Sequence, residues 1–315
     1  MFVQKHRSWL ATVALGGVAL PHIWTRTLVV TAIGIGVTLL YREVPALHVS
    51  LTPTPFTLIG LPLGIFLGFR NNTAYDRFWE GRRLWGSLVN TTRSFARQVI
   101  TFVEPQQTAA GDSASRAEIK EYEARLVHSL IAYVHALRHH LRDSSPESTL
   151  ARVLPPEEAS ELCKSSNVPV AILLRIGRQL ADARRKNWIH AFHTPVIEAS
   201  LTMLTDIQGG CERIKSTPIP YSYTVLMHRI VAVYCVLLPF GIAESVGWAT
   251  PAVVFFVSYA FFGLDAIGDE VEQPFGLDPN DLPLSAMSRA IERNLRETID
   301  EEIPEAFVPR DGILP

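Results

Sequence analysis

Four runs of this chain of 315 residues hold almost no charge, and they limit its architecture more than any other feature. Residues 27–41, 56–69 and 246–264 contain no Asp, Glu, Lys or Arg, and 225–242 contains only Arg229. The 48% hydrophobic content and positive mean hydropathy of +0.16 are concentrated in these runs, which read as four membrane-spanning helices. Run 27–41 is shorter than the ~20 residues a lone crossing needs, so it must borrow Ile23 and Trp24 or be sheltered by neighbours. The two short connections, 42–52 and 243–250, hold a single Arg and no Lys between them. The positive-inside rule therefore places both termini and the long central block in the cytoplasm.

Within the second run, GLPLGIFLGF, Gly60, Gly64 and Gly68 recur every four residues, and Leu61, Ile65 and Phe69 recur one position later. On a helix these form a smooth glycine ridge and an apolar ridge about 100° apart around the axis. Each glycine costs a helix about 1 kcal/mol relative to alanine, so three at this spacing need a reason. Small-xxx-small ridges let helices in a membrane approach closely. Spacing alone favours a packing seam inside one subunit over a hydrophobic constriction in a pore. Pro62 removes one backbone hydrogen bond, and a kink or break is expected beside the ridge.

The N-terminus places Lys5, His6 and Arg7 before an apolar stretch, 9–20, which has the outline of a signal peptide. No convincing cleavage site follows, and an interfacial or re-entrant helix is the expectation. Arg70, Asp76, Arg77, Glu80, Arg82 and Arg83 then follow the second run, while Phe78, Trp79, Leu84 and Trp85 keep helical spacing. The helix is expected to leave the membrane and continue in water. Further helices are expected near 115–143, 168–187 and 190–213, with a loop at 143–156 and an amphipathic helix over 285–299. The last two runs read as a hairpin containing Glu244, with His228 and Arg229 one turn into the first, snorkelling or facing protein. The resulting division is 1–72, an N-terminal segment and two spans; 73–220, a cytosolic helical region; 221–266, two more spans; and 267–315, a cytosolic tail.

Little in the chain suggests catalysis. No phosphate-binding loop, dinucleotide fingerprint or nucleophile elbow is present, so neither an enzyme nor a cofactor is expected. No basic block with interleaved aromatics points to nucleic acid. Cys163, Cys211 and Cys235 lack paired spacing and read as reduced packing residues. His190 and His193, with His139 and His140, read as ordinary helix-surface histidines because no carboxylate or cysteine stands at matching spacing. The acidic set from Asp265 to Asp281 offers hard oxygen ligands near a membrane exit but not at EF-hand spacing, leaving a solvated loop as the simpler reading. Asp76 and Arg77 read as a structural pair or part of an intersubunit network.

Three stretches together resemble the bestrophin family of ion channels, especially its bacterial branch: GLPLGIFLGFRNNTAYDRFWEGRRLWG from Gly60, CERIKSTPIPYSYTV from Cys211 and GLDAIGDEVEQPFGLDPNDLPL from Gly263. The resemblance implies an all-α membrane protein, a homopentamer around one central pore with four transmembrane helices per subunit and a helical cytosolic region. It turns Leu61, Ile65 and Phe69 toward the axis as a neck about 12 Å long, reversing the preference from spacing, and leaves Gly60, Gly64 and Gly68 for packing. It places a second, cytosolic constriction near Val196. Animal members bind Ca²⁺ through consecutive acidic residues after the PFG element; PFGLDPND retains only Asp278 and Asp281, which are weak metal candidates. The implied partners are further copies of the chain, membrane lipid and small monovalent ions in a bacterial inner membrane. Chloride is the expected ion. A Na⁺ or K⁺ channel of the same fold is the alternative, toward which the acidic set near Asp269 leans. A membrane-anchored scaffold or sensor without flux is a reading from another class. A carrier ranks last, since neither inverted repeats nor clear intramembrane charges are evident.

Overall fold

A computed structural model describes residues 1, 20–43, 52–104, 116–309 and 312–315. The expected N-terminal interfacial helix, and most of the loop at 42–52, lie outside these residues. The described chain is helical, with no strand among the described residues beyond isolated bridges such as that between Val103 and Ile189. Its α-helices are α1 (Leu20–Glu43), α2 (Pro53–Phe102), α3 (Arg116–Leu141), α4 (Glu147–Leu150), α5 (Pro156–Cys163), α6 (Val168–Arg185), α7 (Thr194–Ser216), α8 (Tyr221–Val246), α9 (Thr250–Glu272) and α10 (Leu284–Glu297).

The second apolar run and the amphipathic stretch after it form one helix, α2, of 50 residues and about 75 Å. No break occurs at Pro62, which lies inside the helix. The reason for continuity is a single buried stripe, Leu63, Leu67, Arg70, Ala74, Gly81, Trp85, Leu88, Thr92, Phe95 and Val99, spaced at threes, fours and sevens. That stripe enters two cores in turn.

The first core joins α1, the start of α2, α8 and α9 through Ile23, Val30, Leu63, Leu67, Val231, Cys235, Val254 and Phe262. Among the described residues, two stretches are long and apolar enough to cross a membrane, Ile23–Glu43 and Tyr221–Glu272. The latter is α8 and α9 joined by a 3-10 turn at Gly247–Ala249. The hairpin turn therefore falls later than Glu244, which stays in the last turn of α8; Gly247, at φ +60°, supplies the left-handed residue the reversal needs.

The second core is built around α3, in which every residue from Ser129 to Leu137 is buried. A helix buried on all sides needs partners all round, and α2, α6, α7 and α10 provide them. The Tyr133 hydroxyl donates to the Leu204 carbonyl at 2.8 Å, so its one polar atom is satisfied in the core. Asn167 caps α6 by accepting from the Val170 amide, and Arg184 and Arg185 close its last turn. The helix expected at 190–213 instead begins at Thr194, because His190 to His193 form a turn, with His193 stacked on Phe102. Cys211 and Cys235 are buried, and all three cysteines are free.

Leu130 is fully buried in the second core. Leu130→Ala should cost about 2–5 kcal/mol in denaturant unfolding of the solubilised protein, against under about 0.5 kcal/mol for Lys120→Ala on the exposed face of the same helix. Equal effects would show that α3 is not the central element.

Candidate pore face and its anchor

The first third of α2 has two unlike sides. Leu63 and Leu67 face the chain's own core, while Leu61, Ile65 and Phe69 are 71%, 51% and 62% exposed. The apolar stripe thus points away from everything else in the protomer. The glycines divide. A Cβ on Gly60 would come within 2.6 Å of the Tyr234 hydroxyl oxygen, so Gly60 is required by packing against α8, whereas a Cβ on Gly64 or Gly68 would meet nothing within 4 Å.

One turn beyond Ile65 the buried stripe reaches a cation. Arg70 is 1% exposed, and its Nη1 donates to Asp265 Oδ1 at 2.7 Å while Nη2 bonds Asp269 Oδ1. Asp265 and Asp269 stand four apart on α9 and present their carboxylates on one face. The remaining Asp265 oxygen, Oδ2, lies 2.6 Å from Nδ1 of His228 on α8. Asn71 adds a hydrogen bond from Nδ2 to the Leu264 carbonyl at 3.0 Å. Gly268 admits this contact, since a Cβ there would lie 2.5 Å from Asn71 Oδ1. His228 therefore faces protein rather than snorkelling. Sequence reading used Arg70 only as the point where charge resumes; the i, i+4 aspartates within an apolar helix were the available signal for its partners.

His228, Asp265 and Asp269 bring three metal-ligand atoms within 4.8 Å of one another. The Arg70 guanidinium already bonds both carboxylates, so the set has the chemistry of an ion-pair cluster and not of a metal cage. Asp281 is buried, and its Oδ2 accepts from the Asp278 amide at 2.7 Å, closing the loop after the PFG element; Asp278 itself is exposed. Burial, with Asp278 adding repulsion against the hydrogen bond it also donates, pushes the Asp281 carboxyl up to about 6.

Arg77 acts as a clasp and is not paired with Asp76. It donates to the carbonyls of Glu272 at 3.1 Å, Ile214 at 2.6 Å and Thr217. These are carbonyls at the C-terminal ends of α9 and α7, where unsatisfied acceptors and the helix dipole favour a cation. Val196, in the first turn of α7, is 45% exposed, whereas neighbouring Ile197 is in the second core. His190 and His193 have their rings 5.9 Å apart edge to face, and no third ligand joins them among the described residues.

With this geometry in place, comparison with known proteins defines the class. Residues 1–297 match the model of the family described as Bacterial/Fungal Bestrophin protein, and the chain belongs to that family. It is 39% identical over 302 residues to a voltage-dependent anion channel-forming protein of Ralstonia nicotianae, covering 96% of this chain and 95% of that one. It is 36% identical over 311 residues to the voltage-dependent anion channel-forming protein YneE of Escherichia coli strain K12, covering 98% of each. Among solved structures, a bacterial bestrophin homolog from Klebsiella pneumoniae superposes with a TM-score of 0.82 at 34% identity, over 89% of this chain and 99% of that one. The all-helical fold is thus the bestrophin fold, and the chain is a membrane protein of that family without enzymatic chemistry.

Arg70→Gln should destabilise the protein by about 3–5 kcal/mol, because it leaves Asp265 buried without its cation. Adding Asp265→Asn should recover a substantial part, read as Tm in a double-mutant cycle; strict additivity would mean the pair is not coupled. A second effect is expected at Asp281. Its folded value is raised above the ordinary 3.8, so the folded state holds the proton more tightly and stability falls as pH rises from about 4 to about 6. Asp281→Asn should flatten that part of the stability profile.

Proposed function

We propose that five copies of this chain surround one axis and form an anion channel, with Leu61, Ile65 and Phe69 as its hydrophobic neck. The observation that carries this reading is the outward stripe: three large apolar side chains, more than half exposed, on the face of α2 opposite its own core. The relatives named as anion channel-forming proteins supply the ion class. Four spans per subunit, α1, the start of α2, α8 and α9, cross a bacterial inner membrane with both termini in the cytoplasm. Val196 lines a second constriction in the cytosolic part of the pathway.

In the neck no side chain offers an ion a ligand. Water is held weakly between five copies of each apolar residue, and ions pass when the ring widens or wets. Gly64 and Gly68, which meet nothing in the protomer, pack against the adjacent subunit. The acidic residues that lean toward cations in the sequence are committed otherwise: Asp265 and Asp269 bind Arg70. This removes the main support for the cation reading.

Ile65→Ala should raise conductance severalfold in reconstituted bilayers by widening the neck and easing its wetting. Under a KCl gradient the reversal potential should lie near the chloride equilibrium value. Unchanged currents from an intact oligomer would refute the neck assignment, a potassium-like reversal would refute anion selectivity, and liposomes passing neither ion would favour a scaffold.

A further inference from the structure

Away from the neck, α10 carries an arginine-rich face toward α3 and α4. Its helix is strongly amphipathic, burying Leu284, Ser288, Ile291, Glu292 and Leu295, and Arg289 and Arg296 flank Glu292 at i−3 and i+4. A cavity of about 330 Å³ opens there, bounded by α3, α4, α10 and the chain after residue 301. That volume is at the lower end for small-molecule sites.

The carboxylate inside this cavity is already saturated. Glu292 accepts from His135 Nε2 at 2.9 Å and Arg296 Nε at 3.1 Å, with Arg289 Nε 3.7 Å away. Burial alone would raise its carboxyl, but the His135 hydrogen bond and the flanking arginines hold it down to about 2, so it stays ionised. Arg296 spans to Glu301 at 2.6 Å. Two guanidiniums keep donors to spare: Arg289, whose ion pair with Glu292 is too long for a hydrogen bond, and the exposed Arg152. Arg289 lies over the Phe307 ring at 5.4 Å, and its buried Nε has no hydrogen-bond partner among the described residues. Both line the cavity.

These cations are also crowded. Burial first, then the like charges of Arg142, Arg152 and Arg289, push the neighbouring Arg138 down to about 10 despite Glu292. Arg152 and Arg289 both act on Arg138 and both line the one cavity. Like charges gathered around a cavity, with donors left over, are the arrangement that an anion relieves.

We propose that this cavity binds a small phosphate monoester, with Arg152 and Arg289 taking its phosphoryl oxygens. A phosphoryl group offers three terminal oxygens in tetrahedral directions and accepts from guanidiniums on two different elements. A planar carboxylate matches one such fork, and the two charges of a dicarboxylate are held apart by carbon. The cavity is larger than a phosphoryl group, and its other walls suit an ester's organic part: Val153 and Pro304 are apolar, and Glu302 accepts from a hydroxyl. The site lies on α10 and the tail that α10 holds, where Arg293 bonds the Pro304 carbonyl, and it does not depend on the neck assignment.

The test is calorimetric titration of the full-length protein in nanodiscs with glycerol 3-phosphate, using succinate as the dicarboxylate control. Saturable binding at one site per chain is expected, tighter than succinate, and weakened about tenfold or more by Arg152→Gln. Arg152 is exposed, so this variant should keep the wild-type elution volume and Tm. The stoichiometry and the variant separate this site from an anion held in the pore. Absence of saturable binding, binding that Arg152→Gln leaves unaltered, or succinate binding at least as tightly would each overturn the proposal.

Discussion

A guanidinium buried between two carboxylates fixes how α2 is turned. Apolar packing among α1, α2, α8 and α9 is only weakly directional, because one branched side chain can replace another with modest adjustment. Arg70 does not have that freedom. Its Nη1 and Nη2 reach Asp265 and Asp269, and Asp265 is held from the other side by His228. Removing such a cation from water costs several kcal/mol, and only one orientation of α2 returns that energy. Leu61, Ile65 and Phe69 lie roughly 100–180° around the helix from Arg70. Pinning Arg70 against α9 therefore sends the apolar stripe outward.

The same helix runs on without interruption into the second core, where Trp85, Leu88 and Phe95 are fully buried. Below Arg70, Arg77 binds the C-terminal carbonyls of α7 and α9, so the helix is held at two levels about two turns apart. A rigid element fixed in both cores transmits rotation between them. A displacement of α7 or α10, which both pack on α2, therefore reaches the apolar stripe to the extent that α2 stays straight between them. Pro62, the helix's built-in weak point, stands on the other side of Arg70, within the apolar stripe itself.

Much of this was legible from pattern. The apolar runs gave α1, α8 and α9, and the threes and fours of Phe78, Trp79, Leu84 and Trp85 gave the continuation of α2, because burial on one helical face leaves a period that a sequence retains. The turn at Gly247 was misjudged by a few residues because Glu244, a polar residue at the end of an apolar run, resembles a loop signal while remaining helical. The start of α7 was misjudged because HAFH has helical spacing but packs its histidine on Phe102. Of the anchor, only the i, i+4 pair Asp265 and Asp269 left a signal. Arg70, Asp265 and His228 lie far apart in sequence, and each is an ordinary boundary charge when read alone; only the fold shows that they meet.

The open surfaces of α2 define what a second copy of the chain would have to supply. Around its axis the helix shows its own core through Leu63 and Leu67, an open glycine edge at Gly64 and Gly68, and the apolar stripe. The glycine edge lies about 100° from the stripe. In a ring of subunits each pore helix has its core behind it, a neighbour at its side and the axis in front, and those three directions correspond to these three surfaces. Gly60 breaks the equivalence of the glycines, since Tyr234 of the same chain already fills the space beside it. Contact between neighbouring pore helices in the proposed assembly therefore tightens toward Gly68. That is the end at which Phe69 closes the stripe and Arg70 turns back into the subunit's own core.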